Sequence, residues 1–325
     1  MNAEGTAERG VMRRPDISVV IVSRNTRDVL RSCLASVAAH TNGLLLETIV
    51  VDNASIDGTA AMVHREYPHV TLLEATENAG FARGNNLGIR RAAGRAVLLL
   101  NPDTELTPGA LRALWNAMMT DVTIGVAGPR LVYPDGAVQP SRYRFPTLGS
   151  ALMESTVFGE WWPAHPAIAW YTMADVPDTA AHDADWLMGA CLLVRREVFD
   201  AVGLLDARLF LYSEEPEFCG RVRRAGWRVR YVPEAAVRHH EGASTGQAIP
   251  ARQRAFAVSK AYLIGRQYGS WVGTVTRAGL AADQAVRLGR EGAKWLLGHK
   301  RAMRAARIGA AWLALRALLG MEPRQ

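Results

Sequence analysis

An aliphatic run at residues 97–100, Val-Leu-Leu-Leu, breaks off at Asn101, Pro102 and Asp103. A carboxylate carried to the tip of a buried strand is costly unless a hydrogen-bonding or charged group meets it there. Three more polar clusters close apolar runs in the same way: Ser23 to Asn25, residues 52–57 with Asp52 and Asn53, and residues 78–86 with Asn78, Arg83 and Asn86. Any one of them reads equally well as a turn or a helix cap, as Asp57 before Gly58 and Thr59 does. Four at successive strand ends point to one polar site. Carboxylates can hold the base or ribose of a nucleotide while a divalent metal takes its phosphates. Hard cations such as Mg or Mn prefer oxygen ligands, and Asp103 is the candidate ligand. No G-x-G-x-x-G follows the first strand and no G-x-x-x-x-G-K-[S/T] occurs anywhere, which excludes two familiar phosphate cradles.

Positioning these residues requires a sheet whose strands end together. Residues 16–25 form a β-branched run, and residues 26–40 repeat apolar side chains at helical spacing (Val29, Cys33, Val37). The alternation recurs at 44–55 and 57–67, at 69–75 and 80–94, and at 95–101 and 108–119. Four strand–helix pairs with short connections predict an α/β fold with a mostly parallel sheet covered by helices on both faces. In such sheets ligands lie beyond the carboxyl ends of the strands, where Asp103 stands. Residues 133–185 lack periodicity and read as a long loop excursion over the active face. Order resumes with the apolar stretch 186–194, a helix after it, a second helix across 214–226, and residues 227–233, which alternate like an edge strand. From about residue 250 the pattern is helical to the end.

The chain has 325 residues, 49% of them hydrophobic and 21% charged, which suits a globular protein rather than a disordered one. Cys33, Cys191 and Cys219 are widely spaced and suggest neither zinc nor disulfides. No apolar stretch is long enough to span a bilayer and the N-terminal residues carry no signal-like run, so a cytoplasmic location is expected. Residues 277–325 hold ten Lys or Arg against three Asp or Glu, which accounts for the whole net charge of +7. The body is therefore balanced and no nucleic-acid partner is expected. Within 285–299, Arg287, Arg290, Glu291 and Lys294 share one helical arc, with Val286, Leu288, Ala293, Trp295, Leu296 and Leu297 around the rest. Such a basic amphipathic helix suits an anionic membrane surface, or else packs on the catalytic segment or on a second subunit of a homo-oligomer.

The segments VIVSRN, VDNASIDGT, ENAGFARGNN, LLLNPDTEL, GACLLVRREVFDAVGLLDARLFLYSEEPEF and VPEAAVRHHEGAST resemble, in order and spacing, family 2 glycosyltransferases of the A-type fold. The chain is most similar to the bacterial rhamnosyltransferases and their galactofuranosyl and mannosyl relatives, over about residues 16–268. The resemblance implies inverting transfer from a nucleotide diphosphate sugar, first dTDP-rhamnose, to a glycan or polyprenyl-linked acceptor in cell-wall or polysaccharide synthesis, assisted by Mg or Mn. It implies that Asp52 grips the base or ribose and that Arg83 faces the base or diphosphate. Asp103 becomes the last acid of a metal-binding motif whose first acid is here Asn101. Glu215 takes the place of the general base, with Glu214 and Glu217 beside it where the family pattern is Glu-Asp-x-Asp. An acidic first helical turn would explain the same residues. His239, with Gly242 and Ser244, matches the family's His-x-x-Gly-x-Ser pattern and could complete the metal's shell, His240 less so. Trp161, Trp162, Trp170 and Tyr171 offer faces for an acceptor sugar, or packing anchors.

The organisation implied is a flexible N-terminus (1–15), a catalytic domain (16–268) with nucleotide-binding (16–130) and acceptor-binding (131–268) halves, and a basic helical tail (269–325). The location implied is the inner face of the plasma membrane. Two rivals are a sugar nucleotidyltransferase, which would need a Gly-rich triphosphate loop, and a nucleotide-sugar or glycan-binding protein without catalysis.

Overall fold

The apolar runs form strands because alternate residues face alternate helical layers. A computed structural model describes residues 13–241 and 249–321. Strands β1 (Ile17–Ser23), β2 (Leu46–Asp52), β3 (Thr71–Glu74) and β4 (Ala96–Leu100) alternate with helices α1 (Arg27–Ala39), α2 (Thr59–Glu66) and α3 (Phe81–Arg91). Short strand β5 (Thr104–Leu106), helix α4 (Ala110–Thr120) and strand β6 (Ile124–Val132) follow. Val19, Ile21, Leu98 and Leu100 are buried on one sheet face with Leu30 and Leu34 of α1 and Leu111 and Leu114 of α4. Val20, Val97 and Leu99 are buried on the other with Ile89 of α3. Helix α3 lies unusually close to β1. A Cβ at Gly84 or Gly88 would come within 2.8 or 2.3 Å of the Val22 or Val20 side chain, so only glycine permits that approach.

Residues 133–185 depart from the expected loop. They fold into β7 (Val138–Gln139), β8 (Arg142–Tyr143), α5 (Leu148–Ser155), α6 (Val157–Trp161), α7 (Pro166–Tyr171) and β9 (His182–Asp183). Helices of five to eight residues are too short to show a period, and side-chain caps define them instead. Thr147 and Ser150 form a capping box, Thr156 caps α6, and His165 caps α7 ahead of Pro166.

Strand β10 (Trp186–Leu187) pairs with β8, and β11 (Cys191–Arg195) enters the main sheet antiparallel to β4 and β6. Helices α8 (Arg196–Val202) and α9 (Glu214–Arg224) lead to β12 (Arg228–His239). The main sheet runs β3-β2-β1-β4-β11-β6-β12-β5. The segment read as an edge strand is therefore interior: β6 lies on one side of β12, and β5 and β9 pair with it antiparallel.

Helices α10 (Ile249–Tyr268), α11 (Ser270–Leu296) and α12 (Arg301–Leu318) pack together around Ala257, Ala261, Leu280 and Leu318. The tail's amphipathicity is turned inside out relative to the sequence reading. Arg287 pairs with Asp283 and Glu160, Arg290 pairs with Glu160 at 3.0 Å, and Glu291 with Arg304. Glu291 and Arg304 are buried, whereas Leu296 and Leu297 are 73% and 85% exposed. Among the described residues no helix is long and apolar enough to cross a membrane.

Candidate active site

Register brings the strand-end residues together. Ser23 pairs with Asp52 at the carboxyl ends of β1 and β2, and Ile21 pairs with Leu100, three residues before Asp103. Asp52 and Asp103 thus sit on one edge of the sheet, separated by two strand spacings, roughly 10 Å. Asp52 is 4% exposed; its Oδ2 accepts from Ser55 N at 3.4 Å, and its Oδ1 has no hydrogen-bond partner among the described residues. Ser23 bonds Thr26, and Asn25, in a left-handed conformation, bonds Ile56 N and Ser55, so these two shape the rim beside Asp52.

Asp103 and His239 meet because β5, which begins immediately after Asp103, pairs with the end of β12 so that Thr104 lies opposite His239. His239 Nε2 is 3.5 Å from Asp103 Oδ1, with both side chains buried. His239 Nδ1 lies 2.9 Å from Gln139 Oε1. Gln139 Nε2 donates to Glu241 at 3.0 Å, which fixes the amide with its oxygen toward the imidazole. Nδ1 therefore donates to Gln139, and Nε2 is turned toward the buried Asp103 carboxylate. A carboxylate oxygen and an imidazole nitrogen at this separation could hold a cation between them, and an outer partner orienting a histidine is the usual arrangement at metal sites. Among the described residues no group of three His, Cys, Asp or Glu gathers here, so a metal would need ligands from elsewhere. Gly242 and Ser244 lie outside the described residues. Gln139 was not singled out in the sequence, because only the register of β7 on β6 reveals its neighbour. Gln139→Leu is expected to weaken divalent-metal affinity on the order of 10- to 100-fold by releasing the ring, as measured by Mn titration.

The acidic cluster arrives through loop contacts with α3. Asn86 exchanges two hydrogen bonds with the Leu205 backbone, Arg83 Nε donates to Ala207 O at 3.2 Å, and Phe81 N donates to Phe210 O at 2.8 Å. Asn53 clamps the loop at Asn78 and Gly80 in the same way. Asn53 and Asn86, placed among donor-binding residues by the sequence, thus have their amides committed to bracing these loops. The segment then turns through Tyr212 and Ser213, both left-handed at φ 70° and 69°, into the first turn of α9. Non-glycine residues rarely hold that conformation, and such strain concentrates at functional sites.

The three acids do different things. Glu217 accepts from Arg221 Nε and Nη2 at 2.8–3.1 Å, which ties it into a structural ion pair. Glu214 is 1% exposed with Oε1 lacking a partner among the described residues; burial, then the neighbouring Glu215 charge, pushes its carboxyl well above the usual range. Glu215 is partly exposed and its Oε1 accepts from Gly189 N at 3.1 Å. Burial raises its carboxyl as well, opposed by backbone hydrogen bonds that include the one from Gly189. Ala190 O accepts from Asn101 N at 2.9 Å, so the Gly189 turn joins Glu215 to the chain that carries Asp103. Asn101 itself is half-buried, with Oδ1 unpartnered among the described residues.

Gly189 has a specific reason to be glycine. A Cβ there would stand 2.2 Å from Glu215 Oε1 and 2.7 Å from its Cγ. The sequence signal was a glycine interrupting the strand-like stretch 186–194, a common mark of close approach. Gly189→Ala is expected to displace Glu215 and remove most of the activity while the far-UV circular dichroism stays native.

The expected aromatic residues divide. Trp161 at the end of α6 and Trp162 just after it are 64% and 67% exposed, whereas Tyr171 is buried against Tyr143, which stacks on Trp186 at 4.2 Å.

A sheet of this order, with its polar groups gathered at one strand edge, is the arrangement of the A-type glycosyltransferase fold. Two solved structures share it: a mannosyltransferase from Pyrobaculum calidifontis in complex with GDP-Man and Mn2+ (TM-score 0.54, 19% identity, 94% of this chain and 88% of that one) and GalNAc-T7 with UDP, GalNAc and Mn2+ (TM-score 0.52, 18% identity, 70% and 43%). The family model for glycosyl transferase family 2 matches residues 18–203, and the chain belongs to that family. It is 32% identical over 282 residues, 83% of this chain and 91% of the relative, to an N-acetylglucosaminyl-diphospho-decaprenol L-rhamnosyltransferase of Mycobacterium tuberculosis.

Proposed function

We propose that the protein transfers a sugar, L-rhamnose from dTDP-rhamnose as the first choice, with inversion onto a hydroxyl of a polyprenyl-diphosphate-linked N-acetylglucosaminyl acceptor. The observation that carries this reading is the junction of Glu215, through Gly189 and Ala190, with the Asn101–Asp103 strand end opposite His239. The match to the rhamnosyltransferase over 91% of its length supports the choice of sugar and acceptor. Asp52 Oδ1 accepts from the nucleoside of the donor, and Ser23 and Asn25 shape the rim around it. Asp103 and His239 would hold Mg or Mn, with the donor diphosphate and water completing the shell; such a cation neutralises charge on the departing diphosphate. Glu215 takes the proton from the acceptor hydroxyl as that oxygen attacks the anomeric carbon from the side away from the diphosphate. Incubation with dTDP-rhamnose, Mg and a short-chain N-acetylglucosaminyl diphospholipid tests the reading. Disaccharide-lipid product with inverted anomeric configuration supports it, and absence of transfer from dTDP-rhamnose and other nucleotide-sugars rejects it.

A lipid-linked acceptor calls for a membrane surface, and the turn between α11 and α12 is built for one. Trp295, Leu296 and Leu297 are exposed there beside Lys294, Lys300 and Arg301, and the Arg301 guanidinium sits over the Trp295 ring at 5.3 Å. Each basic residue near an anionic surface contributes about 1 kcal/mol. This apolar tip with its basic collar, rather than the basic arc of residues 287–294, supports a reading in which the protein docks on the cytoplasmic leaflet. The double change Leu296→Asp and Leu297→Asp is expected to lower partitioning onto anionic vesicles by at least about ten-fold, through lost apolar burial and added repulsion. Unchanged sedimentation with vesicles contradicts it.

A further inference from the structure

Left-handed backbone at two consecutive non-glycine residues, Tyr212 and Ser213, persists only where the surroundings hold it. The contacts of α3 with this loop run from Leu205 to Phe210 and stop short of the strained pair. Ser213 leads into α9 without a side-chain cap among the described residues. The turn is held from the other side, by α10. Ser259, 4% exposed, donates its hydroxyl to Leu211 O at 3.0 Å. The Phe256 ring meets the Tyr212 ring edge-on with centroids 5.7 Å apart, and the Arg252 guanidinium lies 5.8 Å from the centre of the same ring. Tyr262 OH donates to Asp206 Oδ2 at 2.7 Å, near the start of the loop.

Residues 252, 256, 259 and 262 are spaced by four, three and three, so they share one face of the helix. Leu263 and Arg266 continue that face toward Pro216 and Glu217 in the first turn of α9. The back of α10 is occupied, because Ala257 and Ala261 pack with Leu280 and Ala281 of α11 and Leu318 of α12. The helix is therefore fixed from behind by the C-terminal bundle, and the loop that carries the acids is gripped between α10 and α3.

We infer that Phe256 and Ser259 are positioning residues for Glu215: through Leu211 and Tyr212 they hold the strained turn in the conformation that starts α9 with the Glu215 carboxylate at Gly189 N–H. Their effect on rate rests on the reading of Glu215 as the base, whereas the bracing is measurable without turnover. Ser259→Ala removes the hydroxyl and Phe256→Leu the ring. In each, kcat for transfer from dTDP-rhamnose falls about 10-fold, part of the roughly 100-fold that a 1 Å misplacement can cost. KM for dTDP-rhamnose stays at the wild-type value, because the donor's contacts lie on the strand edge. Hydrogen exchange across residues 211–217, followed by mass spectrometry without substrate, quickens by about five-fold in Ser259→Ala, the worth of one neutral hydrogen bond. Val63→Ala, a core truncation in α2 on the sheet face away from α9, serves as the control and lowers the melting temperature without either effect.

Thermal melting confirms that each variant is folded, and Ser259→Ala alone decides the matter if Phe256→Leu does not fold. Exchange at the wild-type rate, a loss confined to KM, or equal changes in Val63→Ala overturn the inference. Faster exchange with kcat unchanged overturns it too, provided that Glu215→Gln is inactive. Faster exchange in a protein whose Glu215→Gln variant turns over normally leaves the brace standing and removes the proposed base instead.

Discussion

Glu215→Gln is expected to lower the rate of sugar transfer on the order of 10²- to 10⁴-fold while leaving donor affinity unchanged. The amide keeps the shape of the side chain and can still accept from Gly189 N, so the fold around the α9 turn is preserved. What it loses is the capacity to take a proton. The pH profile separates this from a merely structural effect. Burial holds the Glu215 carboxyl above the usual carboxylate range, and below that raised value the group is protonated and useless as a base. The wild-type kcat/KM therefore climbs with pH through the raised pKa, and the Gln variant lacks that limb. Burial and the adjacent Glu215 charge raise the Glu214 carboxyl as well, so the two acids titrate as a pair, and of the two it is Glu215 that holds the Gly189 N–H and is partly exposed. If Glu215→Gln turns over normally, the base lies elsewhere.

Asp103→Ala is expected to abolish the part of donor affinity that depends on Mg or Mn, a loss of at least about 100-fold and so at or beyond the 10- to 100-fold that outer partners such as Gln139 carry. The reason is geometric. Asp103 and His239 are held face to face by the pairing of β5 with β12, and removing one leaves a single protein ligand. Donor titration with and without metal reads this directly, and an Asp103→Ala protein with full metal-dependent affinity removes Asp103 from the site.

The parts of this arrangement that could be read in the sequence are those encoded locally. Residues 97–100 are uniformly aliphatic because β4 is buried on both faces, and the abrupt polar turn at Asn101 marks the sheet edge. The first three strand–helix pairs are equally plain, since each strand is followed directly by a helix of eight or more residues. The helices α5 to α7 were not visible, because one or two turns cannot establish a period. The alternation at residues 227–233 suggests an edge strand, but β9, only two residues long and more than 40 residues earlier, pairs with its far side at Arg230 and Tyr231. The tail shows the same limit from another direction. A helical arc of Arg287, Arg290 and Glu291 reads as a solvated stripe until Glu160, more than 120 residues earlier, is found paired to it. Gly189 and Gln139 matter only through tertiary neighbours, and Asn53 and Asn86 looked like ligand contacts because amides that brace loops carry the same chemistry as amides that bind substrates.

The central claim is that Asp52, Asp103, His239 and Glu215 surround a single donor. A crystal structure of the protein soaked with dTDP and MnCl2 tests it most directly. Manganese between Asp103 Oδ1 and His239 Nε2, with the diphosphate on the metal, the nucleoside running to Asp52 and Glu215 across open space from the phosphates, is the expected result. Nucleotide bound away from Asp52, or manganese absent from the Asp103–His239 pair, contradicts the account.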